Sequence, residues 1–356
     1  MLAGRLLTVI LLLPIALATA SPSAGQERST VEWTKAADAL GLRVWSIALR
    51  EKAFRSYRGS DAAAAALAGK WIQQQLELGL TADAIATFKN LPRAVRTRLE
   101  ERPSGAEISE VPDLRLELAA AYLPEGDSRI AAALVSKAPL PSPFAGRQVR
   151  PDGVVDWDAM NAHVLRRMID RWLHPSSGDP FDLLVEAAGR EYRASAVFRI
   201  LLGRLAEREG YPAVTRYSLD AIARRLAPLQ SGAEDLPGPV PPEVIAAGKR
   251  LEADLASLCR SLEEQARAAG KTAQSDSAVE GYARAAALKK VHPEPDLRAV
   301  IFEDPIHFEL FMLDRSGRRG FAIWYQGPPA GPQGGQLRLE ESEGNWKVEI
   351  FGSWIA

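Results

Sequence analysis

Residues 114–138 read LRLELAAAYLPEGDSRIAAALVSKA. Leu114, Leu118 and Ala121 fall on one face of a short helix, and Asp113 stands before it as an N-cap. A polar turn carrying Gly126-Asp127 follows. Asp127 is placed to cap a second helix, whose inner face is lined by Ile130, Ala133 and Leu134. Two such helices folded back on each other cannot bury their stripes alone, so each pair must stack on a neighbour. This stretch therefore predicts a mostly α chain built as a solenoid-like array of helical hairpins.

The flanking segments repeat the plan. AGKWIQQQLELG ends a long helix that starts at Asp61 as N-cap and stops at Gly79. TADAIATFKNL follows from Thr81 and ends before Pro92, and RAVRTRLEER extends the helices toward Pro103. Upstream, Trp33, Ala37, Leu40, Val44, Ile47 and Phe54 recur at steps of three, four or seven, which puts them on one helical face, with Gly59 as a C-terminal cap.

Leu, small residue, aromatic, Gly-Asp and an Ala-rich helix resemble tetratricopeptide-type hairpins; Tyr122, Gly126, Asp127, Ala131 and Ala138 carry the likeness. The resemblance covers residues 114–138, and no fixed repeat period accompanies it. It implies an extended concave surface suited to a protein partner.

APLPSPFAGRQVRPDGVV (138–155) interrupts the helices with four prolines and two glycines. A loop of this length is a linker or a functional element, and Phe144, Arg147 and Arg150 within it are the candidate binding residues. The predicted organisation is a leader at 1–20, helical hairpins over 31–138, the loop at 139–155, further helices over 156–290 and an antiparallel meander over 296–356. QSGAEDLPGPVPP is a second break, ahead of helices near 242–270 and 275–290.

Beyond residue 296 the hydrophobic period becomes two. HFELFMLDRSGRRGFAIWYQ reads as a hairpin turned at Arg315-Ser316-Gly317, and GQLRLEESEGNWKVEIFGSWI as one turned near Glu343-Gly344-Asn345. Leu337, Leu339, Trp346, Val348 and Ile350 alternate with Arg338, Glu340, Lys347 and Glu349, which predicts one buried and one wet face. LRAVIFED is read as a further strand. GNWKVEIFGSW resembles the last strand of NTF2-like domains, a likeness that transfers no site residue.

The N-terminus carries Arg5, an apolar run from Leu6 to Leu17 and Ala18-Thr19-Ala20, the pattern of a secretory signal cleaved after Ala20. The run is shorter than the roughly 20 residues that span a bilayer. The single cysteine, Cys259, shares an apolar stripe with Leu251, Leu255 and Leu262 and cannot form an intrachain disulfide. No cysteine follows the leader to take a lipid anchor, and no Asn-x-Ser/Thr acceptor occurs. These features predict a periplasmic or extracellular bacterial protein. With 44 basic against 45 acidic residues, nothing points to nucleic acid.

The usual catalytic motifs are missing. His163, His174, His292 and His307 have no metal-ligand spacing, and neither G-x-S-x-G nor S-x-x-K occurs. Gly270-Lys271-Thr272 lacks the leading glycine of a phosphate loop, Gln265 occupying that position. Asp156/Asp158 suit a helix start and Glu303/Asp304 a turn. Trp324, Tyr325, Trp346 and Trp354 read as sheet core. No catalytic, metal or cofactor residue is assigned. The expected role is envelope binding or scaffolding with a protein partner. The alternatives are an envelope hydrolase acting on glycan or peptide, which requires carboxylates from distant segments converging on one cleft, and a small-ligand cavity in the sheet lined by Phe308, Leu310, Ile323 and Trp346.

Overall fold

A computed structural model describes residues 30–101, 112–138, 157–190, 194–230, 240–272, 277–291, 306–326 and 333–355. The helices run α1 (Thr30–Ala39), α2 (Arg43–Ser56), α3 (Asp61–Glu77), α4 (Thr81–Asn90), α5 (Arg93–Glu101), α6 (Arg115–Tyr122) and α7 (Ser128–Lys137). They continue as α8 (Trp157–Leu173), α9 (Phe181–Arg190), α10 (Ala196–Glu209), α11 (Pro212–Leu226), α12 (Pro242–Thr272) and α13 (Ser277–Val291). Strands β1 (His307–Leu313), β2 (Arg319–Gln326), β3 (Gln333–Ser342) and β4 (Asn345–Ile355) close the chain. The fold is mostly α with a small C-terminal antiparallel sheet. Among the described residues, no helix is long and apolar enough to cross a membrane.

Local chemistry sets the helix ends, with some departures from expectation. The face running from Trp33 to Phe54 belongs to two helices: Gly41 takes φ +70°, a conformation that favours glycine, and Leu40 beside it is 55% exposed. Ser60, not Asp61, caps α3 by accepting from the Ala63 N–H at 3.4 Å. Asp113 accepts from the Arg115 N–H at 3.3 Å and pairs with its guanidinium at 2.7 Å. The buried Arg115 also donates to the Lys137 carbonyl at the end of α7, which clasps the α6–α7 hairpin shut. Asp127 makes no side-chain cap bond; its carboxylate meets Lys89 of α4 at 3.4 Å. Ala133 faces solvent, and Ala131, Leu134 and Val135 carry the inner face of α7.

Helical hairpins occur at α1–α2, α6–α7 and α10–α11, and contacts between elements far apart in sequence bring α3 and α6 against α10 and α12 against α2. Helix α10 is buried on all sides from Ala196 to Leu202 and again at Leu205 and Ala206. It touches α3, α6, α8, α9 and α11. Apart from the buried Arg199, this run is apolar all round, as in a core helix. The long α12 returns across α11 and α2, and its Gly248 lies so close to Trp45 that a Cβ there would stand 2.5 Å from the ring.

The sheet is a simple meander, β1-β2-β3-β4. Asp314 organises the first turn, accepting from Ser316 Oγ at 2.9 Å, the Arg318 N–H at 3.0 Å and Arg319 Nε at 3.0 Å. Burial works against the Asp314 charge, yet these bonds hold its carboxyl below the usual aspartate range. The second turn is Glu343-Gly344, with φ +55° and +80°, the two-residue turn whose twist suits a hairpin.

The expected single wet face holds for β3–β4, where Arg338, Glu340, Lys347 and Glu349 are exposed. Strands β1 and β2 are covered on both faces. Leu310, Met312, Phe321 and Ile323 join the main helical core. Ala322 and Trp324 lie with Leu337 and Leu339 beneath Val279, Ala283 and Ala287 of α13. A bulge between Phe308 and Leu310 turns these two residues to opposite faces. Phe308, Leu310, Ile323 and Trp346 are therefore split between two cores and do not share one cavity. The stretch LRAVIFED lies outside the described residues.

Candidate functional site

A cleft of about 670 Å³ opens where α2, α3, α4 and α12 meet. Its floor comes from α3. Trp71 and Gln75 stand one turn apart, so they share a helix face. They are 8% and 3% exposed. Neither the Trp71 Nε1 donor nor the Gln75 Oε1 acceptor has a hydrogen-bond partner among the described residues. A buried polar atom left without a partner costs on the order of 1–3 kcal/mol. Carrying a donor and an acceptor in this state on one cleft floor is therefore expensive.

One wall comes from α2. Glu51 lies on the same stripe as Val44, Ile47 and Ala48 and is itself buried. It forms an i,i+4 ion pair with Arg55 at 2.6 Å and a second pair with Arg250 of α12 at 3.2 Å. The two guanidinium groups remain largely in solvent, 72% and 61% exposed, so the pairs hold cationic side chains at the mouth. Phe54 leans on Trp71 with ring centroids 5.9 Å apart and adds an apolar wall. Opposite, α4 presents Asp83, Thr87 and Asn90, spaced to line one face.

Asp83 is half-buried, and its carboxyl is held above the usual aspartate range. Burial is the main cause; the Asp254 and Glu51 charges push the same way, and Arg250 opposes them. The folded chain thus holds the Asp83 proton more tightly than the unfolded chain. Stability contributed by that proton is present at low pH and is lost as pH rises from the ordinary aspartate range through the raised value. Asp83→Asn is expected to raise the melting temperature at neutral pH and to flatten this part of the pH–stability curve. An unchanged curve in a calorimetric pH series would place Asp83 in solvent.

A second concavity, of about 240 Å³, lies between the start of α9 and the polar face of β3–β4. Its central cation is committed to internal pairs. Arg319 meets Asp182 at 3.0 Å and Asp314 at 3.0 Å and covers the Phe181 ring at 5.0 Å. This groove is the joint that docks the sheet on the helices, and the α2–α3–α4–α12 cleft is the stronger site.

Phe144, Arg147 and Arg150 lie outside the described residues, as do Asp156, Glu303, Asp304 and the side chain of Asp158. His163 is half-buried on α8, and His174 is exposed just beyond its end. Cys259 is buried on α12 in one core with Leu251, Leu255 and Leu262, as its stripe implied. Gly270-Lys271-Thr272 sits at the C-terminal end of α12, where carbonyls face outward, the wrong polarity for phosphate. Among the described residues, no group of three or more His, Cys, Asp or Glu is placed to hold a metal ion.

Sequence reasoning passed over Trp71, Gln75 and Glu51. Two signals were present. Gln75 stands on the apolar stripe of Ala68, Ile72 and Leu76, and Glu51 continues the stripe of Val44, Ile47 and Ala48. A polar residue on a buried stripe is the informative exception to hydrophobic patterning. No protein-family model matches the chain, and neither a curated protein nor a solved structure matches it.

Proposed function

We propose that this chain is an exported binding protein of the bacterial envelope that takes its ligand in the α2–α3–α4–α12 cleft. One observation carries the reading: Trp71 Nε1 and Gln75 Oε1 are buried on residues one turn apart that line an open cleft, with no partner among the described residues. A ligand that satisfies both recovers a cost the free protein bears. Compartment rests on the leader pattern of residues 1–20. The 138–155 loop, with Phe144, Arg147 and Arg150, remains the proposed contact for a protein partner.

The test is to incubate the purified protein with the small-molecule fraction of an envelope extract, re-isolate it, and identify retained solutes by mass spectrometry. A solute retained by the wild type and lost from both Trp71→Phe and Gln75→Met, each still folded, is the expected result. Retention of nothing, or equal retention by the variants, contradicts the reading. Cell fractionation tests the compartment directly.

One feature supports a hydrolase as the second reading. Glu51 and Asp83 come from distant segments to the same cleft, and burial keeps the Asp83 carboxyl inclined to hold a proton, as a general acid must. Glu51, however, is already engaged by Arg55 and Arg250. Turnover of a glycoside or peptide that disappears in Asp83→Asn, with binding kept, would move the chain to this class.

A further inference from the structure

We infer that the ligand recognised in the cleft is a secondary amide, its carbonyl accepting from Trp71 Nε1 and its N–H donating to Gln75 Oε1. The inference rests on the binding reading above. Trp71 Nε1 is a neutral donor and Gln75 Oε1 a neutral acceptor, both without a partner among the described residues, and the Gln75 amide nitrogen stands beside that oxygen as a further donor. A carboxylate would find a donor at Trp71 but would set its charge against the Gln75 carbonyl oxygen. An ammonium would find the acceptor but would face the Trp71 N–H. A hydroxyl can donate to Gln75 or accept from Trp71, but its single oxygen must lie within hydrogen-bond reach of both. A secondary amide carries the complementary pair on separate atoms pointing to opposite sides of one flat group.

The surroundings fit the rest of such a molecule. Phe54, Trp71, Leu91 and Leu251 supply apolar surface beside the amide. Arg55 and Arg250, kept at the mouth by Glu51, stand where a carboxylate or hydroxyl substituent of the ligand would emerge. Trp71 Nε1 and Gln75 Oε1 are shut off from solvent, so a ligand reaches them only if neighbouring side chains move, the half-buried Phe54 ring that leans on Trp71 among them. Two sources supply this chemistry: the N-acyl group of an amino sugar and the backbone of a peptide.

The test is an indole N–H correlation spectrum of the full protein, titrated with N-acetylglucosamine, N-acetylalanine methylamide, and control compounds in which the amide N–H is replaced by an ester oxygen. Trp71 is assigned by the resonance lost in Trp71→Phe. The expected result is a downfield shift of the Trp71 signal with one or both amides. The matching ester should bind on the order of tenfold more weakly, because it leaves the Gln75 oxygen stranded. The amide with the stronger effect identifies the source. Gln75→Met should erase the preference for amide over ester while leaving the apolar contacts. Equal shifts from ester and amide overturn the amide assignment and leave the cleft as a binding site. No shift at Trp71 from any of these compounds overturns the amide assignment; a retained envelope solute that still depends on Trp71 would then keep the binding reading alone. Absence of both ends the two together.

Discussion

Replacing Phe198 with alanine is expected to lower the unfolding free energy by about 3–5 kcal/mol, the range for deleting a large core aromatic. Phe198 is 1% exposed on α10, a helix packed against several others. The helix that carries it packs against α3, α6, α8, α9 and α11, and Phe198 belongs to the core they share, so no single element can fill the void without moving away from the rest. The same helix also supports the cleft from behind. Gly79, in the turn joining α3 to α4 with φ +75°, packs against Ile200 and Ala196, where an added Cβ would stand 3.1 Å and 3.3 Å from their side chains. Chemical denaturation followed by far-ultraviolet circular dichroism measures the effect. A loss below about 1 kcal/mol, the scale of a surface substitution, would mean that α10 is not the centre of a closed core.

Glu209→Ala has the second large effect, about 3 kcal/mol, the low end for breaking a buried pair by removing one partner. Glu209 and Arg171 are 9% and 11% exposed and meet in a two-pronged contact, Nε–Oε1 at 3.0 Å and Nη2–Oε2 at 2.8 Å. Arg315 from the first sheet turn joins the same carboxylate at 3.3 Å. Without Glu209, the Arg171 guanidinium keeps hydrogen bonds to Ser176 Oγ and the Gly178 carbonyl and the weaker pull of the Asp179 charge, which offset only part of its desolvation. The Arg171 hydrogen bonds hold the Glu209 carboxyl below the usual glutamate range against burial, and the Arg171, Arg208 and Arg315 charges add to this. A carboxylate lowered in the folded state contributes stability above the ordinary glutamate value and loses it as pH falls through the folded one. Glu209→Gln should therefore flatten the acid limb of the stability curve, whereas a parallel downward shift with an unchanged limb would mean that the charge is not what matters.

Much of this architecture was legible because it is local. The Glu343-Gly344 turn, the alternation of Leu337 and Leu339 with Arg338 and Glu340, and the apolar stripe of α12 each follow from period and turn chemistry within a dozen residues. What escaped depends on partners far away. The double burial of β2 could not be read from FAIWYQ, because its two covers, α13 on one side and the helical core on the other, are tertiary facts. Capping was misplaced by one residue at Asp61, where the serine before it does the work, and at Asp127 the carboxylate turns to Lys89. The cleft was the least visible feature. Its Glu51–Arg250 pair joins residues 199 positions apart, and no motif links Trp71, Gln75 and Asp83. Only the polar interruptions of two buried stripes, Glu51 and Gln75, hinted at it.

The most direct test of the central claim is a crystal structure of the protein isolated from its envelope extract together with whatever it retains. The expected result is solute density between α2, α3, α4 and α12, with an acceptor on Trp71 Nε1 and a donor on Gln75 Oε1. Density on another surface, or a cleft in which Trp71 and Gln75 have found partners within the chain itself, would contradict it.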